Sequence, residues 1–165
     1  AYLTKTLRKQ FGVVISASHN DFLDNGIKIF NEDGEKISRD IEKRIEKYLK
    51  SELLPVETSK IGKAYRFDES GPRYVEFCKS TVPSDISFSS LRIVIDCANG
   101  ACYKVSPEIF KELGAEVIII GNKPDGYNIN QDCGSTNPQI IKDAVIKHRA
   151  DYGLSLIHIS EPTRL

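Results

Sequence analysis

The sequence predicts an α/β protein with mixed or parallel sheets flanked by helices. In the second half of the 165-residue chain, apolar runs alternate with amphipathic segments. Strand, helix, strand, helix, strand in this order is typical of a parallel sheet with right-handed crossovers. Ser106 and Pro107 favour the start of one helix, and Gly114 favours its end. The segments in order are LRIVIDC (91–97), SPEIFKELG (106–114), AEVIIIG (115–121), PQIIKDAVIKHR (138–149) and ADYGLSL (150–156).

The first half of the chain has a different pattern of apolar and polar residues, which predicts a separate domain. FGVVIS (11–16) has the continuous apolar character of a fully buried strand, and GIKIF (26–30) alternates like a second strand. Residues 38–53 form the clearest helix, with Ser38 as the N-cap and an apolar stripe on a charged body. GPRYVEFCKSTV (71–82) predicts a further helix. We therefore expect one domain over 1–68 and a second over 69–156.

Composition and charge exclude several classes of protein. Lys plus Arg and Asp plus Glu both number 23, so no net charge favours nucleic acid or an anionic membrane. No apolar run approaches the ~20 residues of a membrane span, and the N-terminal residues lack a signal peptide's features. The four cysteines match no CxxC metal pattern, which favours reduced thiols in a cytoplasmic protein. The oligomeric state stays open.

The segment GVVISASHNDFLDNG (12–26) places small polar residues directly after an apolar strand, and three interpretations compete for it. A serine hydrolase requires a histidine that reaches the serine, yet neighbours in an extended chain point opposite ways and no G-x-S-x-G motif is present. In a structural interpretation, these polar side chains form hydrogen bonds with backbone groups at a strand end. The third interpretation is phosphate chemistry on a serine, whose charge of about −1.5 to −2 needs cations or N–H donors. Gly26 permits close backbone approach, and Lys28 supplies a cation.

The stretch ISASHNDFLDNGIK closely resembles the phosphoserine loop of the α-D-phosphohexomutase family. Four further blocks, DCANGA, ELGAEVI, PDGYNIN and CGSTNP, follow in the family's order and resemble its bacterial phosphoglucosamine mutase branch. The resemblance covers residues 1 to about 156 and implies a phosphosugar substrate. It implies interconversion of glucosamine 6-phosphate and glucosamine 1-phosphate, which feeds UDP-N-acetylglucosamine synthesis.

The resemblance also implies a role for each candidate residue. Ser18 would carry the phosphoryl group, donate it to the sugar to give a 1,6-bisphosphate, and receive the other phosphate back. Lys28 would act as a general acid/base or electrostatic group. His19 would orient the phosphoserine or the sugar; the alternative interpretation is that it is a structural histidine of the loop. Mg²⁺ would bind Ser18 through its phosphate, because phosphoryl transfer depends on positioning and charge neutralisation.

The sequence departs from the family at two places. Residue 21 is Asp where the family usually has Pro, which adds a carboxylate beside the phosphoserine. After Leu156 the family's D-G-D-x-D-R metal loop is replaced by IHISEPTRL, so the aspartate ligands are absent. We expect residues 157–165 to be non-native and exclude His158 from any site. We also expect a fragment, holding part of domain one and most of domain two, that is inactive by itself.

Two other classes of function remain alternatives. One is a non-catalytic α/β module that binds phosphosugars or protein partners and keeps Ser18 as a regulatory phosphosite. The other is a structural piece without a ligand. A phosphomannomutase or phosphoglucomutase relative is a further possibility within the enzyme class.

Overall fold

The structure is a computed structural model that describes residues 1–18, 20–52 and 54–156. Its contacts divide the chain into two compact units, one of Ala1–Ile15 with Ile27–Ser70 and one of Ser16–Gly26 with the chain from Gly71 onward. The domain bounds expected from the sequence stay a prediction. The described helices are α1 (Tyr2–Thr6), α2 (Arg39–Leu49), α3 (Ser70–Ser80), α4 (Val105–Glu112) and α5 (Pro138–His148), and the strands are β1 (Phe11–Ile15), β2 (Ile27–Asn31), β3 (Arg92–Asp96), β4 (Glu116–Ile120) and β5 (Tyr152–Ser155).

The second unit contains a three-stranded parallel sheet in the order β4-β3-β5, which confirms the predicted parallel sheet. Ile95 of the central strand lies opposite Ile119 on one side and Leu154 on the other. The core cluster at this sheet includes Ile93, Ile95 and Cys97, with Phe110 and Leu154 packed against it. Helices α4 and α5 contact the sheet, so its central strand is buried on both faces.

The helix boundaries follow from local chemistry. Asn137 is the N-cap of α5 and Pro138 occupies its first turn, where a missing N–H removes no helical hydrogen bond. α5 ends at His148, and the φ of 50° at the C-cap residue Arg149 turns the chain toward β5. Helix α4 begins at Val105, one residue before the predicted start at Ser106.

The first unit contains the hairpin of β1 and β2, which pair antiparallel with Val14 opposite Lys28. Ser38 accepts a hydrogen bond from the backbone N–H of Ile41 at 3.4 Å, which confirms it as the N-cap of α2. Helix α1 was not anticipated from the sequence; it contacts β1 through Thr4, which is buried against Gly12.

The predicted full burial of the first strand is wrong. Along β1 the exposed fraction is 64% at Phe11, 52% at Val13 and 74% at Ile15. Among the described residues β1 pairs with one strand, β2, and α1 is too short to cover its apolar face. A continuous apolar run shows that a strand can be buried but does not supply the layer that buries it.

Two sequence expectations concern segments outside the described residues: His19, and the tail 157–165 with His158. Among the helices that the structure describes, none is long and apolar enough to cross a membrane.

Candidate functional site

A cleft of about 350 Å³ opens in the second unit at the carboxyl ends of β3 and β4. Three loops line it, namely the segment after β1, the turn after β3 and the segment after β4. Loops at the carboxyl ends of parallel strands are the usual place for ligand sites in α/β proteins. Lining residues include Ser16, Ser18, Asp21, Asn99, Gly100 and Asn128.

The first of these loops, residues 16–26, is closed at its base. The backbone N–H of Ser16 donates to the carbonyl of Gly26 at 2.8 Å, one step beyond the β1–β2 ladder. A Cβ on Gly26 would lie 2.7 Å from the carbonyl oxygen of Ser16, which is closer than a real Cβ can approach. Glycine is therefore required for the two ends of the loop to meet.

Ser18 lies in this loop with a φ of 62°, a left-handed conformation that is uncommon for a residue other than glycine. Its backbone N–H donates to Ser16 Oγ at 3.1 Å, which helps hold this turn. The residue is half-buried and lines the cleft. Residues in this conformation cluster at functional sites, and in this chain they also follow a helix end, as at Arg149.

Two carboxylates accompany Ser18 in the loop and line the same cleft. Asp21 Oδ1 accepts the backbone N–H of Leu23 at 3.0 Å, and Asp24 Oδ2 accepts Asn20 Nδ2 at 3.0 Å. The hydrogen bond at Asp21 forms a local turn that does not need the ring of a proline. Both side chains are exposed and bring negative charge to the rim.

The opposite wall depends on Asp96, the last residue of β3, which is fully buried. Its Oδ1 accepts the N–H of Ala98 at 2.9 Å, and its Oδ2 accepts the N–H of Gly134 at 2.6 Å and the hydroxyl of Ser155 at 3.2 Å. One carboxylate therefore joins three segments of the second unit. A charge buried with several donors is stable because each oxygen is hydrogen-bonded.

Asn99 continues this wall into the cleft. Its Nδ2 donates to the carbonyl of Asn128 at 3.2 Å, and its Oδ1 accepts the N–H of Lys123 at 3.0 Å. The side chain thus fixes the segment after β4 against the turn after β3. Sequence reasoning did not single out Asp96 or Asn99, although a carboxylate and an amide directly after an apolar strand were the signal available.

An aromatic contact links two of the loops. The rings of Phe22 and Tyr127 meet edge to face, with centroids 5.3 Å apart and planes at 79°. Such pairs are attractive because the edge of one ring meets the face of the other. The contact holds the loop of Ser18 near the segment after β4 in the same unit.

The other predicted site residues are placed as follows. Lys28 is half-buried in β2, in the first unit, opposite Val14 in the hairpin. His19 lies outside the described residues. The structure therefore locates Ser18 at the cleft and Lys28 on a strand, and the assignment of roles to all three stays a prediction.

The described residues do not form a magnesium site by themselves. Asp21 and Asp24 offer the oxygen donors that a hard cation prefers. Within residues 1–18, 20–52 and 54–156, however, no three Asp, Glu, His or Cys side chains converge in a group able to hold a metal ion.

Comparison of the sequence with known proteins gives a consistent result. Residues 1–55 match the family model described as phosphoglucomutase/phosphomannomutase, alpha/beta/alpha domain I. The chain is 54% identical over 156 residues to the phosphoglucosamine mutase of Legionella pneumophila and 52% identical over 155 residues to that of Coxiella burnetii. These matches cover 94% of the chain and 34% and 35% of the two relatives, so the chain spans about a third of their length.

Solved structures show the same fold. A phosphoglucomutase/phosphomannomutase family protein from Burkholderia thailandensis matches with a TM-score of 0.62 at 26% identity, over 88% of this chain and 31% of that one. The Aspergillus fumigatus N-acetylphosphoglucosamine mutase, solved with GlcNAc-6P and magnesium, matches with a TM-score of 0.55 at 18% identity, over 98% of this chain and 41% of that one. The α/β class and the phosphohexomutase-like domains are thereby confirmed.

Proposed function

We propose that this chain, a homologue of the phosphoglucosamine mutases over 94% of its length, carries the phosphoserine loop of a phosphosugar mutase. The observation that supports the proposal is the placement of Ser18, which adopts a left-handed backbone in a closed loop at a cleft. A protein that contains this chain would interconvert glucosamine 6-phosphate and glucosamine 1-phosphate.

In this proposal Ser18 Oγ holds the phosphoryl group between the two transfers. The loop closure at Ser16 and Gly26 fixes the serine, and a rigid donor is what phosphoryl transfer needs. Asn99 and Asn128 form the opposite wall, where their backbone and amide groups could meet sugar hydroxyls. Lys28 would serve as the acid/base or electrostatic group and His19 as an orienting group.

The charge at the rim supports a need for a cation. A phosphate on Ser18 would add about −1.5 to −2 charges to a loop that already has Asp21 and Asp24. We propose Mg²⁺ as the counter-ion, bound at the phosphate and completed by ligands other than the described residues. The Aspergillus relative was solved with magnesium and GlcNAc-6P, which supports this choice of ion and a phosphosugar substrate.

We also propose that the 165 residues do not complete the reaction alone and that the protein acts in the cytoplasm. The chain spans about a third of its mutase relatives, and phosphoryl transfer requires many groups positioned together. The four cysteines are unpaired, which suits a reducing compartment.

A chimera tests the proposal. Residues 1–156 would replace the matching segment of the Legionella enzyme, and the product would be assayed with glucosamine 6-phosphate and Mg²⁺. We expect turnover, and we expect Ser18→Ala to lower it by at least about 10³-fold, as loss of a covalent nucleophile does. Ser87→Ala, at an exposed loop serine, is the matched control and should keep full activity.

The chemical state of the serine is the second readout. Trypsin releases residues 10–28 as one peptide, which holds both Ser16 and Ser18. Fragmentation of this peptide from the active chimera should place the phosphate on Ser18. A folded chimera that binds the sugar phosphate without turnover would favour the binding module, and phosphate on Ser16 would refute the assigned role.

A further inference from the structure

Three of the four cysteines gather at the carboxyl end of β3, and the proposed mutase chemistry uses none of them. Cys97 is fully buried directly after Asp96, and Cys133 is 3% exposed. Cys102 is half-buried and packs against the core cluster that contains Cys97, with its sulfur 3.9 Å from the Cys97 carbonyl oxygen. The fourth, Cys78, lies on α3.

Cys97 and Cys102 interact through their thiols. A hydrogen bond with the Cys97 thiol, assisted by one from Ser106, lowers the pKa of Cys102 to about 7. The same contact and then burial raise the pKa of Cys97. The Cys102 sulfur also lies 2.6 Å from the carbonyl of Leu156, a contact that favours the protonated thiol. The hydrogen bonds from two side chains, the Cys97 thiol and the Ser106 hydroxyl, stabilise the Cys102 thiolate, so Cys102 is the nucleophile of the pair.

Cys133 has other partners. Its thiol donates to the carbonyl of Gln131 at 3.1 Å, and its sulfur accepts Asn99 Nδ2 at 3.5 Å. These contacts hold the sulfur toward the segment after β4. Cys97 is therefore the natural partner for a reaction at Cys102.

We propose that Cys97 and Cys102 form a reversible disulfide when the protein meets a hydroperoxide. The Cys102 thiolate attacks hydrogen peroxide, the O–O bond breaks, and a sulfenic acid and a hydroxide ion form. The hydroxide takes up the proton that the Cys102 thiol lost on ionisation and becomes water. The Cys97 sulfur then attacks the Cys102 sulfur, the S–S bond forms, the S–O bond breaks, and the Cys97 proton leaves with the hydroxide as water. Two thiols and one hydrogen peroxide become one disulfide and two waters, and a dithiol reverses the change.

Oxidation of Cys102 favours the attack of the Cys97 sulfur that follows it. The largest cause of the raised pKa of Cys97 is its hydrogen bond with the Cys102 thiol. Oxidation of Cys102 to the sulfenic acid removes that thiol. Burial remains, so the resolving step is slower than the attack on the peroxide and the sulfenic acid can be trapped.

The disulfide would act on the cleft. Residues 98–101 lie between the two cysteines, and Asn99, Gly100 and Ala101 line the cleft. The disulfide also has no S–H hydrogen, so it cannot make the hydrogen bond that the protonated Cys102 thiol donates to the carbonyl of Leu156, just after β5. The proposal does not depend on the mutase assignment, because it concerns thiol chemistry in this chain.

Peptide mapping of the full chain tests the proposal directly. The native protein is treated with hydrogen peroxide, its remaining thiols are alkylated, and it is digested with trypsin. Cys97 and Cys102 share the peptide 93–104, while Cys133 lies in 112–142 and Cys78 in 74–79. We expect peptide 93–104 to lose two hydrogens and to accept two alkyl groups only after reduction with a dithiol.

Variants separate the two steps. Cys97→Ala removes both the resolving sulfur and the hydrogen bond that lowers the pKa of Cys102, so Cys102 should oxidise more slowly and stop at a sulfenic acid that reacts with dimedone. Cys78→Ser should leave the disulfide unchanged. A link between 93–104 and 112–142 would overturn the assignment of the partner. If peptide 93–104 still accepts two alkyl groups without reduction after Cys78 has fully oxidised, Cys97 and Cys102 do not form the proposed disulfide. This result is obtained with the wild-type chain, so it does not depend on whether a variant folds.

Discussion

The carboxylate of Asp96 accepts the backbone N–H of Gly134 at 2.6 Å, across 38 residues of sequence. The same carboxylate accepts the hydroxyl of Ser155 and the N–H of Ala98. A single side chain thus fixes the turn after β3, the segment after β4 and the end of β5. The wall of the cleft is therefore only as rigid as this group of hydrogen bonds.

Asp96→Asn should destabilise the second unit. The amide of Asn has one acceptor oxygen where Asp96 has two, so its NH₂ group would face one of the donors of Ala98, Gly134 and Ser155. We expect a loss of about 1–3 kcal/mol in the free energy of unfolding, the penalty for an unsatisfied buried group. Urea unfolding of the full chain measures it. Asp85→Asn, at an exposed loop position, is the control and should change the free energy little.

Gly26→Ala should open the base of the loop that contains Ser18. The added methyl group would lie 2.7 Å from the carbonyl oxygen of Ser16, so the backbone must move apart. We expect a loss of about 1–3 kcal/mol on urea unfolding, as for other overpacked sites. Gly62→Ala is the control, because a Cβ added at residue 62 would have no neighbouring atom within 4 Å. Equal effects of the two substitutions would contradict the steric explanation.

Asp21→Asn should ease the repulsion of a phosphate on Ser18. The carboxylate favours the monoanionic phosphate and so raises the second pKa of the phosphoserine above its ordinary value near 6, and its removal should lower that pKa. The Asn side chain can still accept the N–H of Leu23, so the turn is kept. ³¹P NMR titration of phosphorylated protein measures the pKa. The difference should shrink at high salt, and a difference independent of salt would rule out an electrostatic origin.

Alkylation of Cys102 should respond to pH in a range that leaves ordinary thiols protonated. Because its pKa is lowered to about 7, the thiolate fraction should rise between about pH 6 and 8, below the usual midpoint of about 8.5. Labelling of peptide 93–104 with iodoacetamide as a function of pH measures this midpoint. Ser106→Ala removes one donor to the sulfur and should move the midpoint upward. A midpoint that stays at 8.5 in the wild-type chain would contradict the lowered pKa.

Local sequence signals predicted most of the elements. Ser38 could be identified as an N-cap because capping depends on neighbours within a single turn. The parallel sheet followed from alternating strand and helix periods, which are also local. The exposure of Ile15 could not be predicted, because burial depends on a covering layer elsewhere in the chain.

The residues of the candidate site also differ in how far the sequence could predict them. Ser18 is a candidate because its loop resembles the phosphoserine loop of the family, and that resemblance lies within one short segment. Asp96 acquires its role from Gly134 and Ser155, which are distant in sequence. A hydrogen bond between distant residues leaves no periodic trace in a single sequence. The left-handed conformation of Ser18 was equally invisible, since serine carries no signal for it.

The position of β3 between β4 and β5 has a consequence for biosynthesis. β4 emerges from the ribosome soon after β3 and can pair with one edge of it. The other edge of β3 stays unpaired until β5 is synthesised, because Ile93 pairs there with Tyr152. During this interval the centre of the sheet has a bare edge, and exposed strand edges invite association with other chains. We expect nascent chains that stop before residue 152 to depend on chaperones far more than chains that reach residue 156.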